Sequence, residues 1–135
     1  MKKSRFTLLE VMIVLLVLVI LAGVTTPAYL QYAKKARVRT AKSQCGLLAD
    51  AVKNYQAEVR SLPGSLDALV TNTDNAASWE GPYWEGKLPK DPWGNIYIIV
   101  IPGKNADFDI VSYGSDGKSG GDGDAADIFS SALSE

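Results

Sequence analysis

The chain contains a single cysteine, Cys45, and no histidine. One thiol cannot form an intramolecular disulfide, and it cannot build a zinc site of the cysteine type. No phosphate-loop pattern is present, and with histidine absent no Ser-His or Cys-His pair can be built, so no enzyme activity is expected. Charge of one sign is not in excess either, with 14 Lys and Arg against 15 Asp and Glu. A nucleic-acid surface is normally strongly basic, so no nucleic-acid partner is expected. The length of 135 residues suits one small domain plus an anchor.

What the chain does have is a long apolar run near its start. Val11 to Val24 carries no charge, and with Phe6–Leu9 before it and Thr25–Leu30 after it the segment reaches the roughly 20 residues that span a bilayer as helix. A basic stretch, Lys2, Lys3 and Arg5, precedes it. At the entry to the run stands Glu10, a carboxylate whose insertion costs on the order of 3 kcal/mol at mid-bilayer and which therefore needs a partner. A cleavable secretory signal has the same basic-then-apolar order. Glu10 and the lack of an obvious small-x-small cleavage site weigh against it.

The string Phe6-Thr-Leu-Leu-Glu10-Val-Met-Ile-Val after Lys2-Lys3-Ser4-Arg5 resembles the class III signal of type IV pilins and type II secretion pseudopilins. The resemblance implies that residues 1–5 are a leader, that a prepilin peptidase cuts between Arg5 and Phe6, and that the new N-terminus on Phe6 is methylated. It also matches Glu10 to the family's assembly glutamate and Pro27 to its helix-kinking proline. Arg5 departs from the pattern, since the family almost always has Gly before the cut. Physically, the freed amine of a neighbour's Phe6 is a partner for Glu10, and a buried pair of that kind sets register more than it adds stability.

Orientation is read two ways. Lys34, Lys35, Arg37, Arg39 and Lys42 follow the span, and the positive-inside rule alone favours placing them in the cytoplasm. The resemblance implies the reverse: a single-pass protein of the bacterial inner membrane with its C-terminal domain in the periplasm. The second basic cluster then rests on lipid headgroups.

Beyond the anchor, Val38, Ala41, Cys45, Leu48, Val52, Tyr55 and Val59 step by threes and fours, the spacing of one helical face. A helix from Phe6 to about Arg60 would be a rod of roughly 80 Å, bent or loosened at Pro27. Residues 6–30 form its membrane part and residues 31–62 its amphipathic part. Leu62-Pro63-Gly64 is expected to end it, with Ser65 capping a short helix over Leu66–Val70. Residues 71–81 read as loop, and Trp79, Tyr83 and Trp84 as a lid on the core. Ile96–Ile101 and Phe108–Tyr113 read as a β-hairpin, with Asp107, Asp109 and Ser112 on a solvent-facing side.

Leu88-Pro89-Lys90-Asp91-Pro92-Trp93-Gly94-Asn95-Ile96-Tyr97 is a turn by its physics: prolines fix φ, Asp91 accepts turn N–H groups, Gly94 permits positive φ and Trp93 plugs a seam. It resembles the Leu-Pro-x-Asp-Pro-Trp-Gly-x-x-Tyr signature of the major pseudopilin of type II secretion systems. Many type IV pilins staple a C-terminal loop with a cysteine pair, which this chain cannot do.

The segment Ser115 to Ile128 concentrates carboxylates among glycines. Hard cations need converging oxygens on a pliable backbone, and calcium suits such a loop better than magnesium. The order required of an EF-hand fails after Asp116, and the segment is one residue out from the nonapeptide calcium repeat. From the residues alone, a solvated acidic loop and a metal site both stand. The resemblance implies calcium, with Asp116 the opening ligand, Asp127 the closing one, Asp124 a third and Asp122 a further candidate, helped by backbone carbonyls near Ser112 and Tyr113.

The resemblance thus implies an α+β pilin-like fold: a long N-terminal helix, membrane-spanning in its first half, packed on a small antiparallel β-sheet, with a globular part over residues 63–135 closed by a C-terminal metal-binding loop. The implied function is a structural subunit polymerising into a periplasmic pseudopilus that supports export of folded proteins across the outer membrane. Its implied partners are copies of itself, the prepilin peptidase, minor pseudopilins and an inner-membrane assembly platform. A type IV pilin or minor pilin is one alternative, and a non-polymerising membrane-anchored calcium-binding module is another.

Overall fold

The computed structural model describes residues 5–133. The leader expected over residues 1–5 lies outside the described residues except for Arg5. The chain forms two compact units, Met1–Lys35 and Ala36–Glu135, and one helix, α1 (Leu8–Val59, 52 residues), runs through both. Within the first unit α1 is long and apolar enough to cross a membrane. Pro27 lies inside this continuous helix.

In the second unit the predicted face of α1 is the buried one. Ala41, Cys45, Leu48 and Val52 have no solvent exposure and Tyr55 only 1%, while Val38 and Val59 pack against the same core half-buried. Full burial of a Val or Leu side chain stabilises by about 1.5–3 kcal/mol, so this face is the main apolar bond between α1 and the rest of the unit. Burial pushes the Cys45 thiol up to about 12, which keeps it a protonated, unreactive core group.

The helix ends close to the expected boundary near Arg60, ahead of Pro63. Val59 is the last helical residue, and Arg60 takes a left-handed conformation at φ 64° while its N–H donates to the Gln56 carbonyl at 2.9 Å. Arg60 fills the position a glycine usually occupies, so Pro63 and Gly64 lie beyond the stop. The segment after it is a 3-10 turn, Leu66–Leu69, and Ser65 caps it through its backbone carbonyl, not its hydroxyl. The Asp74 carboxylate ties this region to α1 by accepting from Tyr55 Oη at 2.9 Å and from the Gly64 N–H at 3.0 Å. Trp79, Tyr83 and Trp84 close the core as expected, with Tyr83 edge-on to both Tyr55 and Trp79.

Three short antiparallel strands, β1 (Ile98–Val100), β2 (Asp109–Ser112) and β3 (Ile128–Phe129), form the sheet in that order. β1 and β2 are the predicted hairpin, paired Ile98 to Val111 and Val100 to Asp109. β3, which pairs Val111 with Phe129 and Ser112 with Ile128, was read only as the end of the acidic loop.

The solvent-facing side expected for β2 does not exist: Asp109 and Ser112 are both fully buried. The reason is a set of donors from distant sequence. Asp109 Oδ2 accepts from the Lys104 N–H at 2.7 Å, and Oδ1 accepts from the Ser131 N–H at 2.8 Å and Ser130 Oγ at 3.2 Å. Burial alone pushes this carboxyl up, but the donors from Lys104, Ser131 and Ser130 outweigh it and the net shift is downward. A carboxyl lowered in the folded state contributes stability that is complete above its unfolded value, about 3.9, and is lost as pH falls through the folded value. Asp109→Asn is expected to cost about 2 kcal/mol at neutral pH, because an amide N–H₂ then faces a donor. It should also flatten the acid limb of the stability curve, which thermal unfolding from neutral pH down to about pH 3 would measure.

Candidate functional site

Two regions hold the residues singled out by sequence, and each is built within its own unit. At the N-terminal end, Thr7 caps α1: its Oγ1 accepts from the Glu10 N–H at 3.2 Å, and its carbonyl accepts from the Val11 N–H at 3.3 Å. Thr7-x-x-Glu10 is the spacing of a capping box, a signal present in the sequence and unused in reading it. It fixes the start of the helix and puts Glu10 on its first turn, where a carboxylate also complements the helix dipole. Phe6 is 78% exposed, and Phe6 and Glu10 line one shallow recess with Val11, Val14 and Leu15.

The large side chains that follow, Val11 to Leu21 and Val24, are exposed on every side of the helix. A helix apolar all round is stable only when lipid or other apolar helices cover it. The first unit is therefore built to be buried by something other than this chain's own core.

The second region runs from Gly114 to Asp127, between β2 and β3. It starts with a 3-10 turn, Gly114–Asp116, in which Asp116 Oδ1 accepts from the Lys118 N–H at 3.1 Å. A second 3-10 turn, Gly123–Ala125, follows Asp122. The two arms meet at glycines. Gly114 is at φ 65°, and a Cβ there would lie 2.8 Å from the Asp124 carbonyl oxygen and 2.9 Å from that of Ala126. At Gly121 a Cβ would lie 2.6 Å from the Ala125 oxygen.

Asp127 closes the loop. Its Oδ2 accepts from the Gly120 N–H at 3.0 Å and from Ser119 Oγ at 3.4 Å, whereas its Oδ1 is buried with no hydrogen-bond partner. A buried carboxylate oxygen left unpaired is costly, and a bound cation or water is the usual explanation. Among the described residues no three acidic side chains converge on one point, so Asp116, Asp122 and Asp124 do not join Asp127 in a cluster here. The carbonyls of residues 124–126 lie against Gly114 and Gly121 on the arm that leads to Asp127, and carbonyl and carboxylate oxygens are the donor chemistry that suits a hard cation.

The turn ahead of the sheet reaches this loop. Asp91 Oδ1 accepts from the N–H groups of Trp93 at 3.1 Å and Asn95 at 2.8 Å, as its sequence predicts, and Gly94 takes φ 91°. Asp91 Oδ2 accepts from Ser112 Oγ at 2.7 Å. Asn95 Nδ2 donates to the Gly114 carbonyl at 2.9 Å, a contact that sequence gave no sign of.

Comparison with known proteins gives a consistent picture. A family model described as type II secretion system (T2SS), protein G matches residues 28–131. The type II secretion system core protein G of Pseudomonas aeruginosa is 37% identical over 133 residues, covering 94% of this chain and 94% of the relative. That of Vibrio cholerae is 39% identical over 133 residues, covering 94% of this chain and 90% of the relative. The crystal structure of the major pseudopilin from the type 2 secretion system of enterohaemorrhagic Escherichia coli superposes with a TM-score of 0.61 at 28% identity, covering 73% of this chain and 89% of that one.

Proposed function

Because the chain belongs to the protein G family of type II secretion systems, the major pseudopilins, we propose that it is the structural subunit of a periplasmic pseudopilus and supports export of folded proteins across the outer membrane. The observation that carries this reading is the match over 94% of the chain to a core protein G, which takes in the exposed apolar helix that its own fold leaves uncovered. Before assembly that helix lies in the inner membrane, with residues 36–135 on the periplasmic side. In the filament it packs against copies of itself, recruited with minor pseudopilins at an inner-membrane platform. No step of this is catalytic.

Assembly in this reading depends on a charge pair between chains. The prepilin peptidase frees and methylates the amine of Phe6, and that amine neutralises Glu10 of a neighbour. An unpaired carboxylate among apolar helices costs more than any register in which it is paired, so the pair selects one register among many.

The acidic loop is part of the same proposal, as a calcium site. Asp127 would hold the ion through its unpaired Oδ1, and Asp116, Asp124 and Asp122, which do not converge on it in this structure, are the further carboxylates of the loop. Calcium would supply positive charge among these aspartates. This chain's own residues do the rest: Gly114 and Gly121 let the arms touch, and Gly120 N–H orients Asp127.

Deleting the chain from its source bacterium tests the function. Proteins normally released should then accumulate folded in the periplasm, and resupplying the chain should restore release. Unchanged release in the deletion strain, measured by activity in the culture medium, would contradict the reading. Arg5, where the family carries Gly, favours a second one, a membrane-anchored module that keeps its leader and does not polymerise.

A further inference from the structure

The Asp91-Pro-Trp-Gly-Asn95 turn and the acidic loop lie apart in sequence, yet the turn bonds the Gly114 carbonyl directly and meets its N–H through Ser112. Its carbonyl accepts from Asn95 Nδ2 at 2.9 Å. Its N–H donates to Ser112 Oγ at 3.3 Å, and that hydroxyl is itself aimed by donating to Asp91 Oδ2 at 2.7 Å. Asn95 is in turn held by the turn, since its N–H donates to Asp91 Oδ1 at 2.8 Å and its carbonyl accepts from the Asp91 N–H at 2.8 Å. A Cβ on Gly117, at φ 65°, would lie 3.1 Å from Asn95 Oδ1. The Asn95 amide therefore lies along the whole first arm of the loop, from Gly114 to Gly117.

Gly114 is also where the second arm touches, with the carbonyls of Asp124 and Ala126 directly against it. Asp127, carrying the buried unpaired oxygen, is the next residue after Ala126. Position is thus passed from the turn to Gly114, from Gly114 to residues 124–126, and from there to Asp127.

We infer that Asn95 is a positioning residue for the cation loop: through Gly114 it fixes the two arms in the spacing that the ion requires, and so sets the loop's affinity for calcium. This rests on the cation reading of the loop given above. It assigns the turn a purpose beyond folding, because a shift of a few tenths of an ångström in ligand spacing matters to an ion and hardly to a solvated loop. Residues that orient ligands without touching the metal are commonly worth about 10- to 100-fold in affinity.

The test is calcium titration by calorimetry on the full chain in detergent micelles. Asn95→Ala removes one hydrogen bond and should raise the calcium Kd by about tenfold or more. Tyr55→Phe is the control: it also removes one hydrogen bond, to Asp74, far from the loop, and should leave Kd within about twofold. Asn95→Ala binding calcium within about twofold of the parent overturns the inference alone. A parent chain that binds no calcium overturns both the inference and the cation reading. If Asn95→Ala does not fold, Asn95→Asp keeps the shape but sets an oxygen against the Gly114 carbonyl. Simple charge attraction predicts tighter binding for that variant and positioning predicts weaker, so equal or tighter binding overturns the inference.

Discussion

Glu10→Ala is expected to abolish filament assembly while leaving the chain inserted in the membrane. The helix itself survives the change, because the hydrogen bond that Glu10 makes to Thr7 Oγ1 comes from its backbone N–H, which alanine keeps. Insertion becomes easier, since a carboxylate at the edge of the apolar run is removed. What is lost, on the proposed charge pair, is the partner for a neighbour's Phe6 amine. Breaking a buried pair from one side costs about 3–5 kcal/mol, a factor of hundreds or more at each subunit contact, and a filament repeats that loss along its length. Electron microscopy of sheared filaments, with membrane fractionation as the insertion control, measures both halves. Normal filaments from Glu10→Ala would remove the charge pair from the account.

On the proposed cation site, calcium removal is expected to have the second large effect. Anything that binds only the folded state stabilises by mass action, about 2.7 kcal/mol at a free concentration a hundredfold above Kd. For a globular unit of this size that corresponds to a drop in Tm of about 10 °C or more on adding chelator. Asp127→Ala should melt at one temperature with or without calcium, because it removes the only buried side-chain oxygen without a hydrogen-bond partner among the described residues. Asp116→Ala combined with Asp127→Ala should behave the same way. Thermal unfolding of the full chain in micelles, in calcium and in chelator, reads all of these. A parent Tm indifferent to chelator would contradict the cation reading.

Local periodicity made the largest part of the fold legible. The face Ala41, Cys45, Leu48, Val52, Tyr55 needs only the 3.6-residue repeat to be recognised, and it is the buried face. The turn at Asp91 was legible because every contact that shapes it lies within a few residues. The errors have the opposite character. Alternation in β2 put Asp109 and Ser112 in solvent, but donors from Ser130 and Ser131, some twenty residues further on, bury Asp109 without penalty. β3 has two residues, too few to show a period. Arg60 ends α1 in a conformation normally left to glycine, a stop signal that its residue type does not show.

The acidic loop divides in the same way. Composition pointed to oxygen donors in the loop, and the structure buries one carboxylate oxygen of Asp127 without a hydrogen-bond partner. Gly114, where the loop's two arms meet, is bonded by Asn95 and Ser112, both outside residues 115–128. No spacing rule within residues 115–128 contains that information.

The account as a whole turns on whether Phe6 becomes the N-terminus, since without its amine Glu10 has no partner and the exposed helix no reason to choose one register. Arg5 makes this the point of greatest consequence. Mass spectrometry of the chain purified from membranes of its own bacterium measures it directly. The account predicts a mature chain beginning at N-methylated Phe6; a chain that retains Met1 to Arg5 would contradict it.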